Sequence, residues 1–209
     1  MPNWCYCDLH YFGSKDEVRK LRDVFAKARS LKDDEWIKAN VGFEHENWLG
    51  NLVLVCGAAI QEKDKQIKLK DGKVVEEPSR ESDEHIRCRG EISLIDDGQY
   101  ETSMDFSTSS AWSPTYDLFE KLASVSGCKY YLYAEEPGCG VYVNSDVEGE
   151  VFPIHYLLMT TKEEHYCKTW EEVCRLLQVY GYEIPESFEA YSQTEREECD
   201  YMLIKYADK

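Results

Sequence analysis

The sequence of 209 residues predicts an α+β fold in which an antiparallel sheet is combined with helices, a long insertion and extra C-terminal elements. Hydrophobic residues make up 43% of the chain and charged residues 31%, which is typical of a globular protein rather than a disordered one. Several segments alternate between apolar and polar residues, as strands do, and two segments with helical spacing follow recognisable capping residues. These observations together indicate a chain with one or two packed domains.

The first predicted elements are a strand and a helix joined by a short turn. Residues alternate from Trp4 to Phe12 and the strand ends at Gly13. Ser14 followed three residues later by Glu17 is a capping box, so a helix is expected to begin there and to continue to about residue 29. A strand connected this tightly to a helix is typical of the first half of a βαβ unit.

An insertion is predicted at about residues 30–90. The apolar segment WLGNLVLVCGAAI at 48–60 fits either a buried strand or a short helix, and its periodicity does not decide between them. Residues 61–84 are polar, and Asp71-Gly72 within them marks a hairpin turn. We therefore expect an exposed hairpin or a mobile loop in this region.

The order of predicted elements after residue 90 matches a split βαβ, or ferredoxin-like, pattern. Strands at 91–95 and 100–106 flank Asp96-Asp97-Gly98, and Ser113 and Pro114 are expected to begin a helix that Gly127 ends. Further strands are predicted at 129–134, 140–144, 151–159 and 201–206, and a helix is predicted between the capping box Thr169/Glu172 and Gly181. Residues 1–160 would form the ferredoxin-like domain with its insertion, and residues 161–209 a C-terminal helix-strand extension packed on the same core.

Negative charge is the most pronounced global property of the chain. The formal net charge is −17, and residues 91–209 contain 24 Asp and Glu but only eight Lys and Arg. Such a surface repels nucleic-acid backbones and anionic membranes, so we expect neither as a direct partner. The acidic surface has two interpretations: it attracts a basic host protein, or it only keeps the chain soluble.

We find no signal peptide in the sequence and no apolar run long enough to span a membrane, so we expect a cytoplasmic location. The nine cysteines are then expected to be reduced thiols rather than a disulfide framework.

The cysteines and histidines include the groups that could bind a metal ion or act in catalysis. Zinc-site spacing is absent from the two candidate groups. The first is Cys5 and Cys7 with His10, or with Cys128 and Cys139, and the second is His165 with Cys167 and Cys174. No nucleophile signature is present, and Gly138-Cys139-Gly140 precedes a strand rather than a helix, unlike a phosphate-binding loop. We therefore expect no catalytic residue, no metal and no cofactor.

The candidate binding residues are four carboxylates and one aromatic. Glu135 and Glu136 end a predicted strand, and Asp146 and Glu148 follow across the next turn, with Glu150 beside them. Together they would form an anionic rim that binds a cation, a basic peptide or an Arg-rich protein groove, or else a solvated turn. Trp112 precedes a helix start and is either an exposed binding aromatic or, as we favour, a hydrophobic staple over the core. The tyrosines at 130–133 could stack RNA bases, but the surrounding negative charge argues against it.

Four segments resemble phage- and plasmid-borne proteins of the YubB type, which contain a ferredoxin-like domain. They are MPNWCYCDLHYFG at the start, CRGEISLID at 88–96 (similar to Bacteroides-type relatives), FSTSSAWSPTYDLFEKLA at 106–123, and YYLYAEEPGCGVYVNSDVEG at 130–149. The chain departs from the family pattern at Cys7, where a polar residue is commoner, and it lacks a Trp-Gly-rich segment before the hairpin. The resemblance implies a ferredoxin-like fold and an origin in a mobile element, and it implies no chemistry.

Two classes of function follow from these observations. The first is a non-enzymatic accessory protein of a phage, plasmid or integrated element that binds a basic host protein through its acidic surface, as a nucleic-acid mimic or an inhibitor of host defence. The second is a small-molecule binder or enzyme that uses Cys, His or carboxylate residues in a pocket beside the insertion.

Overall fold

The computed structural model describes residues 3–41, 46–80, 83–96, 100–192 and 201–208. Within these ranges the chain combines helices with antiparallel sheets, as the α+β prediction requires. Two compact units are distinguished. The first contains Met1–Tyr130 and Ala134–Val141, and the second contains Tyr131–Tyr133 and Tyr142–Lys209. Most of the second unit therefore follows Val141 in the chain.

The helices and strands are numbered in chain order. The helices are α1 (Lys15–Ser30), α2 (Glu35–Asn40), α3 (Gly50–Val55), α4 (Tyr116–Ser126), α5 (Trp170–Tyr180) and α6 (Phe188–Ser192). The strands are β1 (Trp4–Phe12), β2 (Ile60–Glu62), β3 (Lys65–Lys70), β4 (Lys73–Pro78), β5 (Gly90–Asp96), β6 (Ser103–Ala111), β7 (Lys129–Glu136), β8 (Val141–Asn144), β9 (Tyr156–Thr160), β10 (Glu164–Cys167) and β11 (Tyr201–Lys205).

The largest sheet has the strand order β5-β6-β1-β7-β8. Strands β1 and β6 pair antiparallel along their whole length, from Trp4 opposite Ala111 to Phe12 opposite Ser103. Strands β5 and β6 are also antiparallel, with an irregularity between Ile92 and Leu94. The pairing of these two strands was predicted, whereas residues 97–99 of the predicted turn lie outside the described residues.

Alternation along β1 places one row of side chains in the core of the first unit. Cys5, Cys7, Leu9 and Tyr11 are all buried, which confirms the face predicted for them. Helix α1 begins at the predicted capping box, in which the Ser14 hydroxyl accepts from the Glu17 amide and the Glu17 carboxylate accepts from the Ser14 amide.

The insertion forms helices α2 and α3 and a three-stranded sheet of order β2-β3-β4. The apolar segment 48–60, which fitted either a strand or a short helix, contains the helix α3, and residues 50–54 of this helix are all buried. The hairpin between β3 and β4 is confirmed: Asp71 and Gly72 have φ angles of 48° and 76°, the left-handed conformation that such two-residue turns need.

Helix α4 begins two residues later than predicted. Its N-cap is Thr115 rather than Ser113, and no side chain hydrogen-bonds to the first amides of the helix. The predicted start was wrong because the carbonyl of Ser113 instead accepts a bond of 2.7 Å from the Ser110 hydroxyl, within a turn that precedes the helix. The predicted end is confirmed, since Gly127 has a left-handed φ of 86°.

The second unit contains the sheet β10-β9-β11 and the helices α5 and α6. Its buried cluster consists of Leu158, Cys167, Val173, Leu177, Tyr201 and Leu203. The strand predicted over 151–159 begins only at Tyr156, because the amides of Val151 and Phe152 donate to a side chain and not to a neighbouring strand. Strand β10 and helix α6 were not predicted.

Gly90 lies where the insertion joins β5, and it has no room for a side chain. A Cβ atom at this position would be 2.2 Å from the carbonyl oxygen of Ser109 and 2.9 Å from the Cα of Ser110, both backbone atoms of the neighbouring strand. Gly90→Ala should therefore lower the free energy of unfolding by about 2 kcal/mol, as an overpacked site does. Urea denaturation would measure this, and Gly72→Ala, at a turn with open space, provides a comparison for backbone strain alone.

Candidate functional site

Trp112 is an exposed aromatic in a strained backbone conformation. Its side chain is 49% exposed and its φ angle is 68°, a region that bulky residues rarely adopt. The staple over the core that we favoured is therefore wrong, and the neighbouring Pro114 is the buried residue instead. The amide of Trp112 donates to the carbonyl of Asn3 at 2.9 Å, which helps to hold this conformation. Strain of this kind is found at functional sites more often than elsewhere.

A cavity of about 600 Å³ lies beside Trp112 within the first unit. Its volume is within the range of pockets that bind small molecules. Its lining includes Ile60, Gln61 and residues 87–89 of the insertion, together with the segment from Ser110 to Asp117, which leads into α4. The sequence had placed an alternative binding pocket beside the insertion, and a cavity is present there.

The cavity has a positive lining in a strongly acidic chain. Arg87 and Arg89 line it, and Asp117 is the one acid among its lining residues. The guanidinium carbon of Arg89 lies 5.5 Å from the centre of the Trp112 ring, a cation–π distance. The uncapped N-terminus of α4 also lies here, and its dipole adds partial positive charge.

Cys88 is the thiol of this cavity, and it is poorly suited to nucleophilic chemistry. Burial raises the pKa of the Cys88 thiol to about 12, so the reactive thiolate is scarce at neutral pH. None of the cavity-lining residues is a histidine that could act as its base. The cavity is therefore better suited to binding than to catalysis by the thiol.

Glu136 is not part of an exposed anionic rim, because its side chain is buried. Its carboxylate accepts hydrogen bonds from the amides of Gly138 and Cys139, and so caps the short 3₁₀ turn that follows β7. A hydrogen bond from the Cys139 thiol, together with these amides, lowers the pKa of Glu136. The expectation that Glu136 is exposed was wrong because the turn needs an acceptor at this position, while Glu135 is half-buried.

Asp146 is also buried, and its carboxylate organises the loop after β8. One carboxylate oxygen accepts from the amides of Val151 at 2.6 Å and Phe152 at 2.9 Å. Burial by itself would raise the pKa of Asp146, but hydrogen bonds from the amides of residues 149–152 outweigh it and lower the pKa. Asp146 was therefore wrongly placed on the exposed rim, whereas Glu148 is exposed in the same loop.

The fold places the thiols of Cys5 and Cys7 on the opposite face of β1 from His10. The sulfur atoms of Cys5 and Cys7 lie 3.9 Å apart in the core. His10, on the other face of β1, has its Nδ1 atom 2.5 Å from the carboxylate of Asp105. The hydrogen bond with Cys5, and after it burial, raise the pKa of the Cys7 thiol. Across the described part of the chain, no cluster of three or more His, Cys, Asp or Glu side chains is arranged to hold a metal ion.

The residues of the cavity were mostly missed by the sequence analysis. Arg87, Arg89 and Asp117 were not singled out, because Arg87 and Arg89 are distant in sequence from the helix start that they face. A signal was available in the charge distribution: the segment Arg87–Arg89 is a basic exception immediately before the most acidic part of the chain.

Of the helices within the described ranges, none is both long enough and apolar enough to cross a membrane.

No family model matches the sequence. Searches of curated proteins and of solved structures likewise give no match.

Proposed function

We propose that the chain is a non-enzymatic accessory protein that binds a basic host protein in the cytoplasm through an acidic surface. The four segments that resemble YubB-type proteins support an origin in a phage, plasmid or integrated element. Binding to a basic surface would allow such a protein to mimic nucleic acid or to inhibit a host defence enzyme.

We also propose that the first 160 residues contain a ferredoxin-like split βαβ arrangement. The strand order β5-β6-β1-β7 supports this assignment, because the first strand of the pattern lies between the third and the fourth. The helices α1 and α4 follow β1 and β6, as the two crossover helices of that arrangement would.

The observation on which the partner proposal depends is the charge of the second unit. Its described residues include eleven Asp or Glu and only four Lys or Arg. Every one of the eleven except Asp146 is at least partly exposed. The negative surface therefore does not depend on Glu136 or Asp146, and Glu148 and Glu150 remain available in the loop after β8.

Affinity capture from a bacterial lysate, followed by titration of the captured protein, would test the proposal. We expect the partner to have a basic surface and its affinity to fall as the salt concentration rises, because salt screens exposed charges. Glu148→Lys/Glu150→Lys should weaken binding by about tenfold, since like charges then face each other.

A matched control is available in the first unit. Glu62→Lys/Asp64→Lys makes the same change in net charge at two exposed positions of the insertion and should leave the affinity unchanged. Equal losses in the two double variants would show that only the total charge matters. Binding that is insensitive to salt, or a partner without a basic surface, would refute the proposal.

A further inference from the structure

The cavity beside Trp112 combines three features that suit one class of small ligand. An exposed aromatic ring, two arginines and a partly open cavity occur at the same place in the first unit.

The two arginines favour a compact group with more than one negative charge. Guanidinium groups bind phosphate through paired N–H donors, and two of them match a phosphate monoester better than a single carboxylate. Arg87 and Arg89 are two residues apart and both line the cavity, where the N-terminus of α4 adds favourable electrostatics. Ser113 and Thr115, which each carry a hydroxyl group, also line the cavity.

Trp112 favours a planar ring next to that phosphate. Indole rings stack on nucleobases, and such stacking tolerates every base because each has a π face. The left-handed backbone at Trp112 turns the side chain outward to line the cavity instead of packing in the core. A ligand in contact with the ring would explain why Trp112 keeps a strained backbone conformation and a large apolar side chain exposed to solvent.

We propose that this cavity binds a nucleoside 5′-monophosphate, with the base stacked on Trp112 and the phosphate held by Arg87 and Arg89. The volume of about 600 Å³ accommodates a ligand of this size. Asp117 is placed to accept hydrogen bonds from sugar or base donors. The ligand is a single nucleotide because the surrounding negative charge repels a polyanion more strongly than a monoester.

Isothermal titration calorimetry of the whole chain with each of the four nucleoside 5′-monophosphates would test this. We expect one-to-one binding of at least one of them, with the matching neutral nucleoside and inorganic phosphate each bound about tenfold more weakly or worse. Absence of binding at millimolar monophosphate would overturn the proposal. Inorganic phosphate binding as tightly as the nucleotide would also overturn it, as would tighter binding of a short single-stranded oligonucleotide.

Two variants distinguish the contributions of charge and stacking. Arg89→Gln should weaken monophosphate binding about tenfold and leave nucleoside binding unchanged, whereas Arg80→Gln, which removes an exposed arginine outside the cavity, should have no effect. Trp112→Gly should weaken binding of both the monophosphate and the nucleoside. The melting temperature of this variant should not fall, because glycine adopts a φ of 68° without strain. Unchanged affinity in folded Trp112→Gly would contradict the proposed stacking.

Discussion

Tyr11→Ala is expected to lower the free energy of unfolding by about 4 kcal/mol, the loss typical of a large buried aromatic. The ring of Tyr11 is fully buried and stacks on Phe106 and Tyr130, with ring centres 5.4 and 5.0 Å away. Its hydroxyl donates to the carbonyl of Phe119 at 2.8 Å, so it also connects β1 to α4. Urea denaturation of the purified variant would measure the loss.

Two variants of the same strand separate the contributions at Tyr11. Tyr11→Phe keeps the ring and removes only the hydroxyl, so it should cost about 1 kcal/mol. Tyr6→Ala removes an aromatic that is 64% exposed and should change stability by less than about 0.5 kcal/mol. Similar losses for Tyr11→Ala and Tyr6→Ala would contradict the burial of this face of β1.

Asp146→Ala should lower the free energy of unfolding by about 3 kcal/mol, because two backbone amides lose an ionised acceptor. These are the amides of Val151 and Phe152, and Asn144 stabilises the same loop by donating to the carbonyls of Phe152 and Ile154. Glu148→Ala, at an exposed position of the loop, is the matched control and should change stability by less than about 0.5 kcal/mol.

The contribution of Asp146 should depend on pH in a defined direction. Its pKa is lower in the folded chain than in the unfolded one, so the ionised carboxylate stabilises the fold fully above about pH 4, the ordinary value for aspartate. As the pH falls through the folded pKa, this stabilisation is lost. The stability difference between the wild type and Asp146→Ala should therefore shrink in acid. A difference that grows below pH 4 would contradict this assignment.

Local sequence patterns predicted the elements whose ends are set by their own residues. The capping box at Ser14 and Glu17, the turn at Asp71-Gly72 and the glycine stop at Gly127 were all found as expected. The start of α4 was misjudged because Ser113 belongs to a local turn with Ser110, and Thr115 is the N-cap instead. The short strand β10 contains little alternation, and it forms because β9 supplies its hydrogen-bonding partners.

The candidate site was harder to predict, because burial and proximity are properties of the folded chain. Consecutive carboxylates suggested an exposed rim, yet Glu136 and Asp146 are buried as acceptors for backbone amides. The sequence can show that an acid follows a strand, but not whether a turn folds over it. Likewise, Arg89 meets Trp112, 23 positions later in the chain, because the pairing of β5 with β6 continues to a bond from the Ala111 amide to the Arg89 carbonyl.

The loop from Ser145 to Phe152 is held in shape by a single internal carboxylate while its own glutamates face solvent. The loop therefore loses its conformational freedom during folding and not during association. A preorganised loop binds a partner at a smaller entropic cost than a flexible loop of equal charge. Under this view, loosening the loop by Asp146→Ala should speed dissociation of a bound protein even though no charge has been removed from the outer surface.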